Sequence, residues 1–154
     1  GIADSIWNGT VLVSYLYMLG HGSNSIVGFA EALQGVSQLA TALPVGYLAD
    51  KTKRSRVIGS GGVIMLIATA LTLYIVASEA QNHVSAHTSL VQLCAVLALW
   101  GVANGILTGP LQALFADSTP RGERSKNYTV LYSLYLVAGC VGPLVGLVLF
   151  RVWG

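Results

Sequence analysis

Residues 26–77 read IVGFAEALQGVSQLATALPVGYLA, then DKTKRSR, then VIGSGGVIMLIATALTLYIVA. Two apolar runs, Ile26–Ala49 and Val57–Ala77, flank a seven-residue insert that holds Lys51, Lys53, Arg54 and Arg56. A lipid-spanning helix needs about 20 mostly apolar residues. Each run meets that length, and the insert is where such a chain turns round in water. The same alternation continues outward in both directions. A first run extends from about Ile6 to Gly20, and from Gly1 at its widest. A fourth covers about Leu90–Ala116 and a fifth Tyr128–Phe150. The bilayer interior gives backbone N–H and C=O groups no water to bond, so such runs must be helical. The alternating segments of about ten residues that build a membrane barrel are not present. The expectation is an all-α membrane protein with five transmembrane helices, at about 1–20, 26–49, 57–77, 90–116 and 128–150.

Composition agrees. Of 154 residues, 54% are hydrophobic and only 9% charged, against about 25% charged in a typical soluble domain. That excludes a soluble globule, a disordered segment and a nucleic-acid-binding domain. Cys94 and Cys140 both lie in apolar runs, too few and too buried for a disulfide framework or a zinc site. The chain starts at Gly1 with no basic region before an apolar one. The expectation is therefore no signal peptide, and a chain that is part of something longer.

The loops set an expected orientation. DKTKRSR carries four basic residues, and DSTPRGERSKN (117–127) carries Arg121, Arg124 and Lys126. The other two loops, HGSNS and SEAQNHVSAHT, carry no Lys or Arg. Seven of the eight basic residues thus fall on one side, which the positive-inside rule makes cytoplasmic. The Gly1 end is then cytoplasmic and Gly154 outside, with Arg151 snorkelling at the outer rim of the fifth span. Topology anchoring alone would explain these clusters.

Glycines recur at four-residue intervals, as in Gly101-VAN-Gly105-ILT-Gly109 and Gly142-PLV-Gly146. Small residues at that spacing let a second helix approach closely, and simple helix packing is the expected role. Pro44, Pro110 and Pro143 lie in or near the ends of spans, where each removes a backbone donor and can kink its helix.

The segment Pro44-VGYLADKTKRSR-Val57 resembles the signature loop of the major facilitator superfamily, G-x-L-A-D-[RK]-x-G-[RK]-[RK], which lies between that family's second and third helices. Gly46, Leu48, Ala49, Asp50, Lys51 and Arg54 match. Lys53 stands in place of the family's glycine, and Ser55 in place of a second basic residue, with Arg56 one position later. The segment ALFADSTPRGERSK resembles the family's loop between helices four and five, with Asp117, Pro120 and Arg124 in place. Gly142-Pro143-LV-Gly146 partly resembles a glycine-proline motif of antiporter members, but Ala138 stands at one of its glycine positions. Span four has Trp100 near the place of a membrane-embedded arginine found in other members, which counts against proton antiport.

The resemblance implies the partial amino-terminal domain, over 1–154, of a secondary transporter that moves a small solute by alternating access. Gly46 would let its helix pack closely, while Asp50, Lys51 and Arg54 would form a cytoplasmic latch; Asp50 would cap the next helix or pair with Lys51 or Arg54. Asp117, Arg121 and Arg124 would belong to a second cytoplasmic loop. The implied partners are membrane lipid, a second half of the same transporter and a small-molecule substrate, with no nucleic acid and no cofactor.

Ionisable groups inside spans are costly and so are functional candidates. Asp4 and Glu31 qualify. Glu31, Gln34, Gln38 and Thr41 follow helical spacing and make one polar stripe. Trp100, Asn104 and Thr108 are four apart, and Asn8 and Tyr15 share a face. In the family, helices one and four line the cavity and two and five face the other half. The resemblance therefore makes Asn8, Tyr15, Trp100 and Asn104 cavity residues and Glu31, Gln34 and Gln38 cleft residues, with Glu31 or Asp4 as candidates for proton coupling. Helix–helix hydrogen bonding is the plainer role for the Gln and Asn residues. His83 and His87, with His21 on the same side, lack enough nearby carboxylates for a metal site. No nucleotide loop or nucleophile–base pair is visible, so no enzyme is expected. The alternative to a transporter is a small helical membrane scaffold or assembly subunit.

Overall fold

The structure, a computed structural model, describes Ser5 and residues 11–20, 22–82, 86–120 and 122–153. The described residues form five α-helices and no strand: α1 (Leu12–Leu19), α2 (Asn24–Lys51), α3 (Arg54–Asn82), α4 (Ala86–Ser118) and α5 (Arg124–Trp153). Helices α3, α4 and α5 overrun the apolar runs that predict them, because intrahelical hydrogen bonding continues past the hydrocarbon edge. Most of the expected first span lies outside the described residues; its C-terminal part is α1. That helix ends where Gly20 N–H bonds Leu16 O and Gly22, at φ +79°, donates to Tyr17 O. A glycine fits this left-handed position without strain.

Three of the described helices contain stretches long and apolar enough to cross a membrane: Arg54–Ser78, Thr88–Ser118 and Arg124–Val148. Helix α2 is as long, 28 residues, or about 42 Å at 1.5 Å per residue. It is not as apolar, which departs from the expectation for residues 26–49. Glu31, Gln34, Ser37, Gln38 and Thr41 dilute its apolar content.

The chain divides into two compact units, one over Asn24–Ser118 and one over Gly1–Ser23 with Thr119–Gly154. In the first, α4 packs against both α2 and α3, which touch each other much less. Its two sides use different devices. Toward α2, Gly101 and Gly105 bring the backbones together. A Cβ on Gly101 would lie 2.2 Å from the carbonyl oxygen of Gln34, and one on Gly105 would lie 2.6 Å from that of Gln38. Toward α3 the roles reverse, and Gly61 of α3 receives the side chains of Ile106 and Leu107. Near the α2–α3 turn, Ala49, Val57 and Ile106 form a buried cluster flanked by Val45, Ile64 and Val102.

In the second unit, the Ser5 hydroxyl donates to Gly139 O at 2.7 Å and accepts from Gly142 N–H at 3.1 Å. The reason lies four residues on. Pro143 sits inside α5 and has no N–H, so the Gly139 carbonyl loses its helical donor. A serine hydroxyl can both donate and accept, and membrane helices often repair a proline break this way. Gly142 admits Ser5 because a Cβ there would lie 2.3 Å from the serine's backbone oxygen.

Candidate functional site

The densest polar arrangement in the first unit lies where α2 ends, α3 begins and α4 ends. Only Thr52 and Lys53 join α2 to α3. The turn is closed by Thr52, whose N–H and hydroxyl both donate to Leu48 O, and by an Arg56 N–H to Lys53 O bond. A lysine thus occupies the family's glycine position without opening the turn.

Arg54, the first residue of α3, stands at the centre. Its Nη1 donates to Asp117 Oδ2 near the end of α4, and its Nη2 lies 3.8 Å from Asp50 Oδ1 in the last turn of α2. The planar guanidinium presents donors in two directions, so one side chain can engage both carboxylates. The Arg54 side chain is 30% exposed, while Asp50 and Asp117 are 76% and 65% exposed. Lys51 does not join them. Its ammonium donates to the Tyr47 hydroxyl and lies 4.4 Å from the centre of that ring.

Each charge in this hub sits at the unfavourable end of its own helix. A helix carries partial positive charge at its N-terminus and partial negative charge at its C-terminus. Asp50 and Asp117 stand at C-terminal ends and Arg54 at an N-terminal end. Taken singly, each would destabilise its helix by a few tenths of a kcal/mol, to about 1 kcal/mol. Together they offset one another across three helices. The arrangement is therefore explained by the links between helices and not by the needs of any one helix.

The other expected site residues are placed as follows. Gly46 has no described residue within 4 Å of the position a Cβ would take. Arg124 is exposed as the first residue of α5, while Arg121 lies outside the described residues. Asp4 and Asn8 also lie outside them, as do His21 and His83. Tyr15 is half-buried on α1 and Glu31 is exposed on α2.

Gln34 and Gln38 are half-buried beside the α2–α4 seam, with Ser37 and Thr41 turned into it. The Ser37 and Thr41 hydroxyls bond back to Leu33 O and Ser37 O, so they need no water there. Asn104 is half-buried on α4. Trp100 is 9% exposed, and its indole N–H donates to Thr72 Oγ1 of α3 at 3.3 Å. Thr72 is itself buried and donates to Ala68 O at 2.7 Å. Among the described residues no group of three or more His, Cys, Asp or Glu side chains could hold a metal ion.

Sequence reasoning missed three of these features. The Arg54–Asp117 link joins two loops read as separate motifs, and the wrong-end charges were the available signal for it. The Ser5 repair of the Pro143 break had a signal in the proline alone. The Trp100–Thr72 pair had none, because both residues simply occupy apolar runs.

Helices of bilayer length, glycine-packed against one another and tied by a charged hub at one end, define a polytopic helical membrane protein. The chain belongs to the major facilitator superfamily, whose family model matches residues 2–154. It is similar to the uncharacterized MFS-type transporter YhjO of Bacillus subtilis (strain 168), with 28% identity over 147 residues. That alignment covers 93% of this chain and 33% of the relative, so the chain spans about a third of that protein's length. No solved structure matches the chain significantly.

Proposed function

We propose that the chain is the amino-terminal part of a secondary transporter that carries a small solute across a membrane by alternating access. The observation that carries this reading is the Arg54 hub. Three charges at the wrong helix ends, paired with one another among the described residues, make a link that can open and close at little cost. Exposed ion pairs contribute only about 0–1 kcal/mol, which suits a latch that must release in each cycle. Family membership and the similar transporter support the same reading.

In this reading the loops 50–56 and 117–127 face the cytoplasm, and Asp50, Lys51, Arg54, Asp117, Arg121 and Arg124 make the latch and its surroundings. Asn8, Tyr15, Trp100 and Asn104 belong to the cavity side, and Glu31, Gln34 and Gln38 to the cleft toward a second half, with Asp4 and Glu31 as the candidates for proton coupling. The working surroundings are lipid, that second half and the solute, with no enzymatic step.

The test is uptake into proteoliposomes by the product of the complete reading frame that contains this chain, against a panel of sugars, amino acids, organic ions and aromatic compounds. At least one solute should accumulate in a time-dependent way. No uptake of any solute would favour a scaffold or assembly role. With a solute in hand, Glu31→Gln should alter the pH dependence of transport; an unchanged profile dismisses Glu31 as a coupling site.

A further inference from the structure

We infer that Ser5 sets the angle of α5 beyond Pro143, so that the segment holding Ser5 and the far end of α5 move together. The inference does not depend on what the protein carries. Its starting point is the break inside α5. Pro143 lies in the interior of that helix. An interior proline offers no N–H, and its ring presses on the carbonyl four residues back, which here is Gly139. Sharp helix bends of more than about 20° occur almost always at such places. Gly139 stands 15 residues from Arg124 and nine from Val148, the two ends of the apolar stretch. Those separations are about 22 and 13 Å along the helix. At that depth no water is at hand, and a freed carbonyl takes its donor from the protein.

The donor comes from a different segment, 134 positions away in the chain. The Ser5 hydroxyl donates to Gly139 O at 2.7 Å and accepts from Gly142 N–H at 3.1 Å. One oxygen therefore engages two backbone groups at the break. The tether is short, because a serine oxygen is a single torsion away from its own backbone. Nor does a side chain of α5 separate the two backbones there, since a Cβ on Gly142 would run into the Ser5 backbone carbonyl. A carbonyl bonded within its own helix follows that helix. The Gly139 carbonyl instead follows Ser5. A shift of the Ser5 segment across α5 carries that carbonyl with it and changes the bend. By reciprocity, a change of bend displaces Ser5.

The lever is long enough to measure. From Pro143 to Trp153, the end of α5, there are ten residues, or about 15 Å. A change of about 20° at the break moves that end by about 5 Å.

The test reads this movement directly. Nitroxide labels are placed at Met18→Cys and Val152→Cys, two positions that are 75% and 70% exposed and belong to the same compact unit. The complete reading frame, with its other cysteines replaced by alanine, is held in nanodiscs, and double electron–electron resonance gives the distance distribution between the labels. The protein with Ser5 and Pro143 in place should show one narrow peak. Ser5→Ala removes only the oxygen; it should broaden the peak by about 5 Å or split it. Pro143→Ala restores the helical donor and removes the ring, so the peak should move and stay narrow. Adding Ser5→Ala to Pro143→Ala should then change nothing further. An unchanged peak in Ser5→Ala, an unmoved peak in Pro143→Ala, or equal broadening by Ser5→Ala in both backgrounds overturns the inference. Should Ser5→Ala alone fail to fold, the Pro143→Ala background decides: broadening on adding Ser5→Ala there overturns the inference, and an unaltered, shifted peak supports it.

Discussion

Replacing each glycine of the α4 stripe by alanine separates close packing from mere spacing. Gly101, Gly105 and Gly109 are equivalent by sequence, each four residues from the next. The structure makes them unequal. An alanine Cβ at 101 would lie 2.2 Å from Gln34 O and 3.0 Å from Ser37 Cβ, and one at 105 would lie 2.6 Å from Gln38 O. At 109 it would meet no described residue within 4 Å beyond its own helical neighbours. The atoms in the way at 101 and 105 are backbone, so α2 itself must move, by on the order of 1 Å, to restore ordinary contact distance. Overpacking of this kind costs about 1–3 kcal/mol, while alanine regains up to about 1 kcal/mol of helix propensity over glycine. Gly101→Ala should therefore lose roughly 1–2 kcal/mol and Gly105→Ala somewhat less, while Gly109→Ala, where the gain in helix propensity is set against the crowding of a Cβ by Pro110 that follows it, should change stability by less than about 1 kcal/mol. Gly61→Ala is an informative control. Its Cβ would also come within 3 Å of a neighbour, but the neighbours are the side chains of Ile106 and Leu107, which can shift, so its cost should be smaller than at 101. The assay is reversible unfolding of the complete reading frame in mixed micelles of rising SDS content. A Gly109→Ala variant as unstable as Gly101→Ala, or a neutral Gly101→Ala, would refute the assigned seam between α2 and α4.

Three further outcomes follow from individual bonds. Arg54→Ala should change unfolding stability by less than about 1 kcal/mol, because the pairs are exposed, yet slow uptake markedly; Arg54→Lys should recover only part of that uptake, since a lysine lacks the fork that reaches two carboxylates. Trp100→Phe should lose about 0.5–1.5 kcal/mol of stability for the bond to Thr72, beyond any cost from the smaller ring, and the same substitution in a Thr72→Val background should cost less. Ser5→Ala should destabilise by about 1 kcal/mol or more by leaving the Gly139 carbonyl without its donor, but by much less in a Pro143→Ala background, where residue 143 regains an N–H that can reach that carbonyl. Equal Ser5→Ala costs in the two backgrounds would show that the serine does not serve the proline break.

The helical membrane fold was legible because it follows from a bulk property. Apolar runs of sufficient length, interrupted by clustered Lys and Arg, have few solutions in a bilayer. Helix ends were less legible, since hydrogen bonding carries α3 and α5 several residues past the apolar boundary. Pair-specific features were hardly legible at all. Spacing grouped Gly101, Gly105 and Gly109 together but could not show that the first two meet α2 and the third meets no described residue beyond its own helical neighbours. Helical periodicity put Gln34, Gln38 and Thr41 on one stripe, yet only the fold shows Thr41 in the α4 seam with its hydroxyl bonded to its own helix. A face defined by sequence says what lies side by side, not what lies opposite.

The Arg54 hub shows how such a gap could be narrowed from sequence. Read separately, Asp50-Lys51-Thr52-Lys53-Arg54 is a topological anchor, and Asp117 ends a different helix. Read as charges on helix dipoles, each of Asp50, Arg54 and Asp117 is misplaced on its own helix. Three misplacements with mutually compensating signs are much harder to explain singly than as one shared contact, and that contact is what the structure contains. The same reasoning accounts for the different position of Lys51. It lies in the last turn of α2, where a cation suits the dipole, so it needs no carboxylate and rests on Tyr47 instead. Lys51 suits the end of its own helix, whereas Asp50, Arg54 and Asp117, each at odds with its own, stand where α2, α3 and α4 are tied together.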